Sequence, residues 1–85
     1  MQDSDIKDLL NAALTLDELH IKFDGSQAKI IAVGALFADL SRVKKQQVVY
    51  APLAQAINEG IIHAVTIKTF TPDVWKREKM FNLPL

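Results

Sequence analysis

Apolar residues recur along this chain at two intervals, and each change of interval marks a new element. Ile6, Leu9, Leu10, Ala13 and Leu14 are spaced three and four apart, which predicts an amphipathic first helix. Ser4 reads as its N-cap, with Asp5 in the first turn where a negative charge suits the helix dipole. Leu19, Ile21 and Phe23 then alternate with Glu18, His20, Lys22 and Asp24, the period of a half-buried strand. Asp24-Gly25-Ser26 signals a turn, and Lys29 to Val33 supplies a second strand that completes a hairpin. Residues 34–40 form a short connection with room for one helical turn.

A long helix is expected from Ser41 to Glu59, ending at Gly60 as its C′ residue. Val43, Gln47, Tyr50, Leu53, Ala54 and Ile57 fall on one face of it, and Pro52 should kink or divide it. A third strand covers Ile62 to Phe70. Thr71, Pro72 and Asp73 then read as N-cap, N1 and N2 of a short last helix through Trp75 and Arg77. The order is α-β-β-α-β-α. A helix between strands two and three suits a right-handed crossover that sets those strands parallel. The expected fold class is therefore α+β, a three-stranded mixed sheet covered by helices on one face. Residues 1–85 make one domain, with a frayed tail at 81–85.

Composition narrows the chemistry. With 49% hydrophobic residues the chain can build a core. Ten basic and ten acidic residues cancel, which argues against a bulk polyanion binder and leaves only local basic patches. There is no cysteine, so the chain has no disulfide, no thiol nucleophile and no thiolate to hold a metal. The N-terminal residues lack signal-peptide character, and no apolar run approaches the roughly 20 residues that span a bilayer. A soluble, cytoplasmic protein with no membrane partner is expected.

Two groups of residues could carry chemistry. His63 stands at the start of the third strand, sharing by alternation a face with Val65 and Ile67. It is either a core or strand-edge histidine with locally satisfied nitrogens, or an imidazole offered to a metal. His20 lies on the polar face of the first strand, where solvation is the default. Arg42, Lys44 and Lys45 open the long helix, where the dipole is already positive and free N–H groups favour an anion. They form either a solvated face or a docking site for phosphates or carboxylates, with Lys44 and Lys45 pointing away from the apolar stripe. Tyr50 and Trp75 read as core aromatics. Paired carboxylates, a Ser/His/Asp set, a phosphate-cradling glycine loop and HExxH are all absent, so the chain is not expected to be an enzyme.

Residues 37–53, Phe-Ala-Asp-Leu-Ser-Arg-Val-Lys-Lys-Gln-Gln-Val-Val-Tyr-Ala-Pro-Leu, and residues 62–72, Ile-His-Ala-Val-Thr-Ile-Lys-Thr-Phe-Thr-Pro, follow an αββ start. In this order they resemble the BolA family over nearly the whole chain. The resemblance implies a class II KH-like fold and partnership with a monothiol glutaredoxin of the CGFS type. It further implies a [2Fe–2S] cluster shared between the two proteins, with none expected on this chain alone. The roles it implies are iron–sulfur trafficking or the response to iron and acid stress. His63 matches the family's C-terminal ligand histidine. The family's second ligand, a histidine or cysteine, falls in the loop between strands one and two, where this chain carries Gln27. Glutamine is a poor ligand for a soft iron–sulfur site, so a cluster here should be weaker or more labile; His20 is the nearest other histidine. Family members are also described as DNA-binding regulators through the region of Arg42, Lys44 and Lys45, although the G-x-x-G loop of nucleic-acid-binding KH domains is missing. A weak homodimer is left open.

Overall fold

The second strand decides the architecture, because almost every residue in it is buried. A computed structural model of all 85 residues has a three-stranded sheet in the order β1-β2-β3, with β1 (Glu18–Phe23), β2 (Gln27–Val33) and β3 (Ala64–Phe70). β1 runs antiparallel to β2, and β3 runs parallel to it. Ala28, Ile30, Ile31, Ala32 and Val33 are each no more than 1% exposed. Successive side chains of a strand point to opposite faces, so β2 must be covered on both.

The first face is the main core. Leu19, Ala28, Ile30 and Ala32 meet Ile6 and Leu10 of α1 (Asp3–Ala13), Phe37 of a 3-10 turn (Ala35–Asp39), Val49 of α2 (Arg42–Tyr50), and Ala56 of α3 (Ala54–Asn58). On the second face, Ile31 and Val33 pack with Trp75 of α4 (Pro72–Asn82), flanked by Phe70, Leu83 and Leu85. The α+β class and the mixed sheet are as expected. The placement of helices on one face alone holds for α1, α2 and α3 but not for α4, which lies across the other. The tail follows α4. Phe81 and Asn82 complete the helix, and Leu83 and Leu85 pack beside the Ile31–Val33–Trp75 cluster, so 81–85 do not simply fray.

The long helix is divided as Pro52 requires. α2 ends at Tyr50, a 3-10 turn spans Ala51–Leu53, and α3 follows. Proline has no N–H to give and its ring crowds the carbonyl four residues back. Gly60 adopts φ +75° after α3, the left-handed C′ position. The apolar stripe, however, is displaced from its expected positions. Val49, Leu53 and Ala56 are the buried residues, while Val43 is 64% and Tyr50 40% exposed. Lys45, four residues before Val49, begins the buried side of α2 and is half-buried. A lysine stem can line apolar surface while its ammonium stays in water, which is why hydropathy alone picks the wrong frame. At the N-terminus α1 starts earlier than Ser4: Gln2 is the cap, and its N–H donates to the Asp5 carboxylate at 2.7 Å. No helix is long and apolar enough to cross a membrane.

Phe37 is fully buried at the centre of the main core. Phe37→Ala is expected to destabilise the fold by about 3–5 kcal/mol, read from urea unfolding. A loss below about 1 kcal/mol would show that the 3-10 turn is not part of the core.

Candidate functional site

The turn between β1 and β2 is built by one side chain. The Asp24 carboxylate accepts the N–H groups of Ser26 at 2.9 Å and Gln27 at 2.7 Å, and Gly25 supplies the positive φ of +95°. Asp24 is the self-bonding residue of an Asx-turn. Those two N–H groups, Gln27's first, hold its carboxyl below the usual aspartate range. The turn then holds the mouth of β3. The Ser26 carbonyl accepts the His63 N–H at 2.8 Å and the Ala64 N–H at 3.4 Å.

His63 is presented between two fixed points. Ile62 before it is fully buried, and Ala64 after it starts β3, paired with Gln27 across the parallel ladder. The backbone is therefore pinned on both sides while His63 is exposed in a bend. Its ring makes no hydrogen bond to the protein. The strand starts two residues later than the hydropathy pattern suggests, so His63 is not in register with Val65 and Ile67. It is not a core histidine with satisfied nitrogens. Gln27, also exposed, is the neighbouring position on β2, one strand spacing of about 4.8 Å away from Ala64. Gln27, expected in the loop, is instead the first residue of β2, and it pairs with the residue that follows His63.

His20 is elsewhere and is occupied. It pairs with Ile31, four residues further along β2 than Gln27 and on the opposite edge strand from β3. Strand rise and spacing put it roughly 15 Å or more from His63. Its Nε2 lies 2.9 Å from Glu18 Oε2, and its ring lies against Trp75 with centroids 5.5 Å apart. Glu18 Oε2 also accepts the Trp75 indole N–H at 2.8 Å. The His20 hydrogen bond first, and then the Trp75 one, hold the Glu18 carboxyl below its ordinary range against the opposing effect of burial. His20 is half-buried rather than solvated, and it helps tie α4 to β1. That tie is invisible to periodicity, since Glu18 and Trp75 are 57 residues apart.

The basic group keeps its charge in the open. Ser41 caps α2, its hydroxyl accepting the Lys44 N–H at 3.2 Å. Arg42 and Lys44 are exposed and Lys45 half-buried, and none is paired, since the His20–Glu18 contact is the sole ion-pair geometry in the structure. Nowhere do three histidine, cysteine, aspartate or glutamate side chains converge to hold a metal ion. His63 offers one exposed imidazole with no hydrogen-bond partner in the protein.

This α+β fold with its mixed sheet is that of the BolA-like proteins. The model of that family matches residues 11–74, and the chain belongs to it. It is 49% identical over 82 residues to the acid stress protein IbaG of Escherichia coli K12, spanning 96% of this chain and 98% of that one. It is 34% identical over 62 residues to the DNA-binding transcriptional regulator BolA of Haemophilus influenzae, covering 71% of this chain and 59% of that protein. Among solved structures it is similar to BolA1 of Arabidopsis thaliana, with a TM-score of 0.75 at 26% identity over 84% of this chain and 92% of the other.

The sign of the Asp24 effect can be tested directly. A carboxyl depressed in the folded state orders the turn above the ordinary aspartate range and releases it only as pH falls through the depressed value. The Ser26 and Gln27 amide resonances are expected to titrate with a midpoint below 3.8, the ordinary value. Asp24→Ala removes the transition. A midpoint at or above 3.8 would contradict the turn geometry.

Proposed function

We infer that the protein is a BolA-like adaptor that binds a monothiol glutaredoxin and shares a [2Fe–2S] cluster with it, acting in iron–sulfur trafficking or an iron or acid-stress response. One observation carries the reading: His63 is exposed, free of protein partners and held by its backbone against the β1–β2 turn. A neutral imidazole is a suitable iron ligand. Because the chain offers a single such donor and no cysteine, the remaining ligands come from the partner and its thiol. The protein's part is then to bind and orient. It presents one nitrogen at a fixed place, and the open cations Arg42, Lys44 and Lys45 provide charge for an acidic partner surface. No step of bond-making chemistry is assigned to this chain.

Gln27 stands where a second donor would lie next to His63. His63→Ala is expected to abolish or alter the visible circular dichroism of the mixed cluster while leaving the fold intact, since the side chain is exposed. Gln27→His is expected to lengthen the lifetime of the cluster under chelator challenge. An unchanged spectrum for His63→Ala would remove that residue from the ligand set.

A second reading rests on the same three cations, which have no acidic partner, and on the similarity to a DNA-binding regulator. In it, the start of α2 contacts phosphates. With three cations engaged, the affinity for duplex DNA would fall with salt at a slope of about −0.9 per contact, near −3 in all. A flat salt response, or no binding at low salt, would dispose of it.

A further inference from the structure

The face of the sheet that α4 covers is covered only in part. Towards the hairpin end it carries three lysines, one from each strand. Lys22 stands directly opposite Lys29 in the β1–β2 register, and Lys68 pairs with Ile31 in the β2–β3 register. Like charges directly opposite one another in a sheet are unfavourable, and no ion pair relieves them. Lys29 influences the Asp24 carboxylate, which is already committed to the N–H groups of its own turn. Lys22 donates to an oxygen of Leu85 at 3.4 Å, which ties it to the tail beside the pocket. Lys68 is positioned: its ammonium donates to Asn82 Oδ1 at 3.1 Å, and Asn82 in turn donates to the Glu78 carbonyl at 2.8 Å.

A pocket of about 240 Å³ opens between this part of the sheet and the end of α4, with Lys29, Thr66, Lys68, Phe81 and Asn82 among its walls. Phe81 is 78% exposed, which is unusual for a phenylalanine placed beside a cavity. The volume lies below the range of whole drug-sized ligands, so it admits one small flat group. Lysine ammoniums bind phosphate as point charges, and an exposed ring is a stacking surface for a base. Thr66 and Asn82 add side-chain donors and acceptors at the wall.

We propose that this pocket binds a nucleotide, with phosphate on Lys29 and Lys68 and the base against Phe81. The nucleotide is either free or one unit of a single strand. The site is on the face of the sheet opposite the core that α2 covers, and so is separate from the start of α2. It is also independent of His63. The site accounts for two lysines without an ion-pair partner and one exposed aromatic ring at a single opening in a chain with no net charge.

The test is titration of the isotopically labelled full chain at low salt, followed by amide NMR, with adenosine monophosphate, adenosine triphosphate, an eight-residue oligothymidylate and inorganic pyrophosphate as probes. Saturable shifts at Thr66, Lys68 and Phe81 are expected with the triphosphate. Lys29→Glu and Lys68→Glu should each weaken binding about tenfold, the loss of roughly one charged contact, while Lys76→Glu, on α4 but outside the pocket, should not. Phe81→Ala should weaken nucleotide and leave pyrophosphate unchanged. Because all these side chains are exposed, the variants keep the fold. Binding of the oligonucleotide alone assigns the unit to a single strand, and binding of the mononucleotides assigns it to a free ligand; either supports the site. Pyrophosphate bound as tightly as nucleotide, with no shift at Phe81, would overturn base recognition. No saturable shift at low salt would overturn the site altogether.

Discussion

The burial of β2 on both faces is the constraint from which the rest of the structure follows. A strand that is apolar on one side needs one layer of helices, and a strand apolar on both sides needs two. Ile30 and Ala32 require α1, α2 and α3 above them, and Ile31 and Val33 require α4 below. Once β2 is central, β1 and β3 are the edge strands. The Glu18–Trp75 hydrogen bond is the specific tie that seats the lower layer. The buried indole N–H needs an acceptor, and Glu18 stands on the right face of β1 to provide it.

The same constraint builds the histidine site. A parallel β2–β3 pair begins at the end of β2 nearest the hairpin turn, so the residue before β3 necessarily arrives beside that turn. The Asp24 side chain stiffens the turn, Ser26 receives the incoming backbone, and Ile62 anchors the chain behind it. His63 is left exposed between them. Because its backbone, not its side chain, makes the hydrogen bonds, both ring nitrogens stay free. Gln27 stands across the ladder from the residue that follows His63.

Several features were legible in the residues, and the misses have common causes. The hairpin, the crossover helix, its division at Pro52 and the stop at Gly60 follow from local rules of turn and helix chemistry, and they are found where those rules put them. The positions of His63, Arg42, Lys44 and Lys45 at the starts of a strand and a helix mark them in the sequence, and they lie exposed or near the surface. The orientation of α2 was not legible, because its buried side begins with a lysine while Val43 and Tyr50 are exposed. The unbroken run Ile30-Ile31-Ala32-Val33 was itself a sign of a strand buried twice over. It distinguishes two covered faces from one, and it points to the second layer that α4 and the tail provide.

The sequence by itself determined the elements, their order and the residues with chemical potential, because caps, turns, proline and period act over a few residues. Only the tertiary structure decided which of those residues meet. His63 joins Gln27 across 36 positions, His20 is drawn away to Trp75, and Lys22, Lys29 and Lys68 converge from three strands. Such meetings depend on strand register and on which face each helix covers. Those are set by the competition of all apolar surfaces for burial at once, and no local window of the chain contains that information.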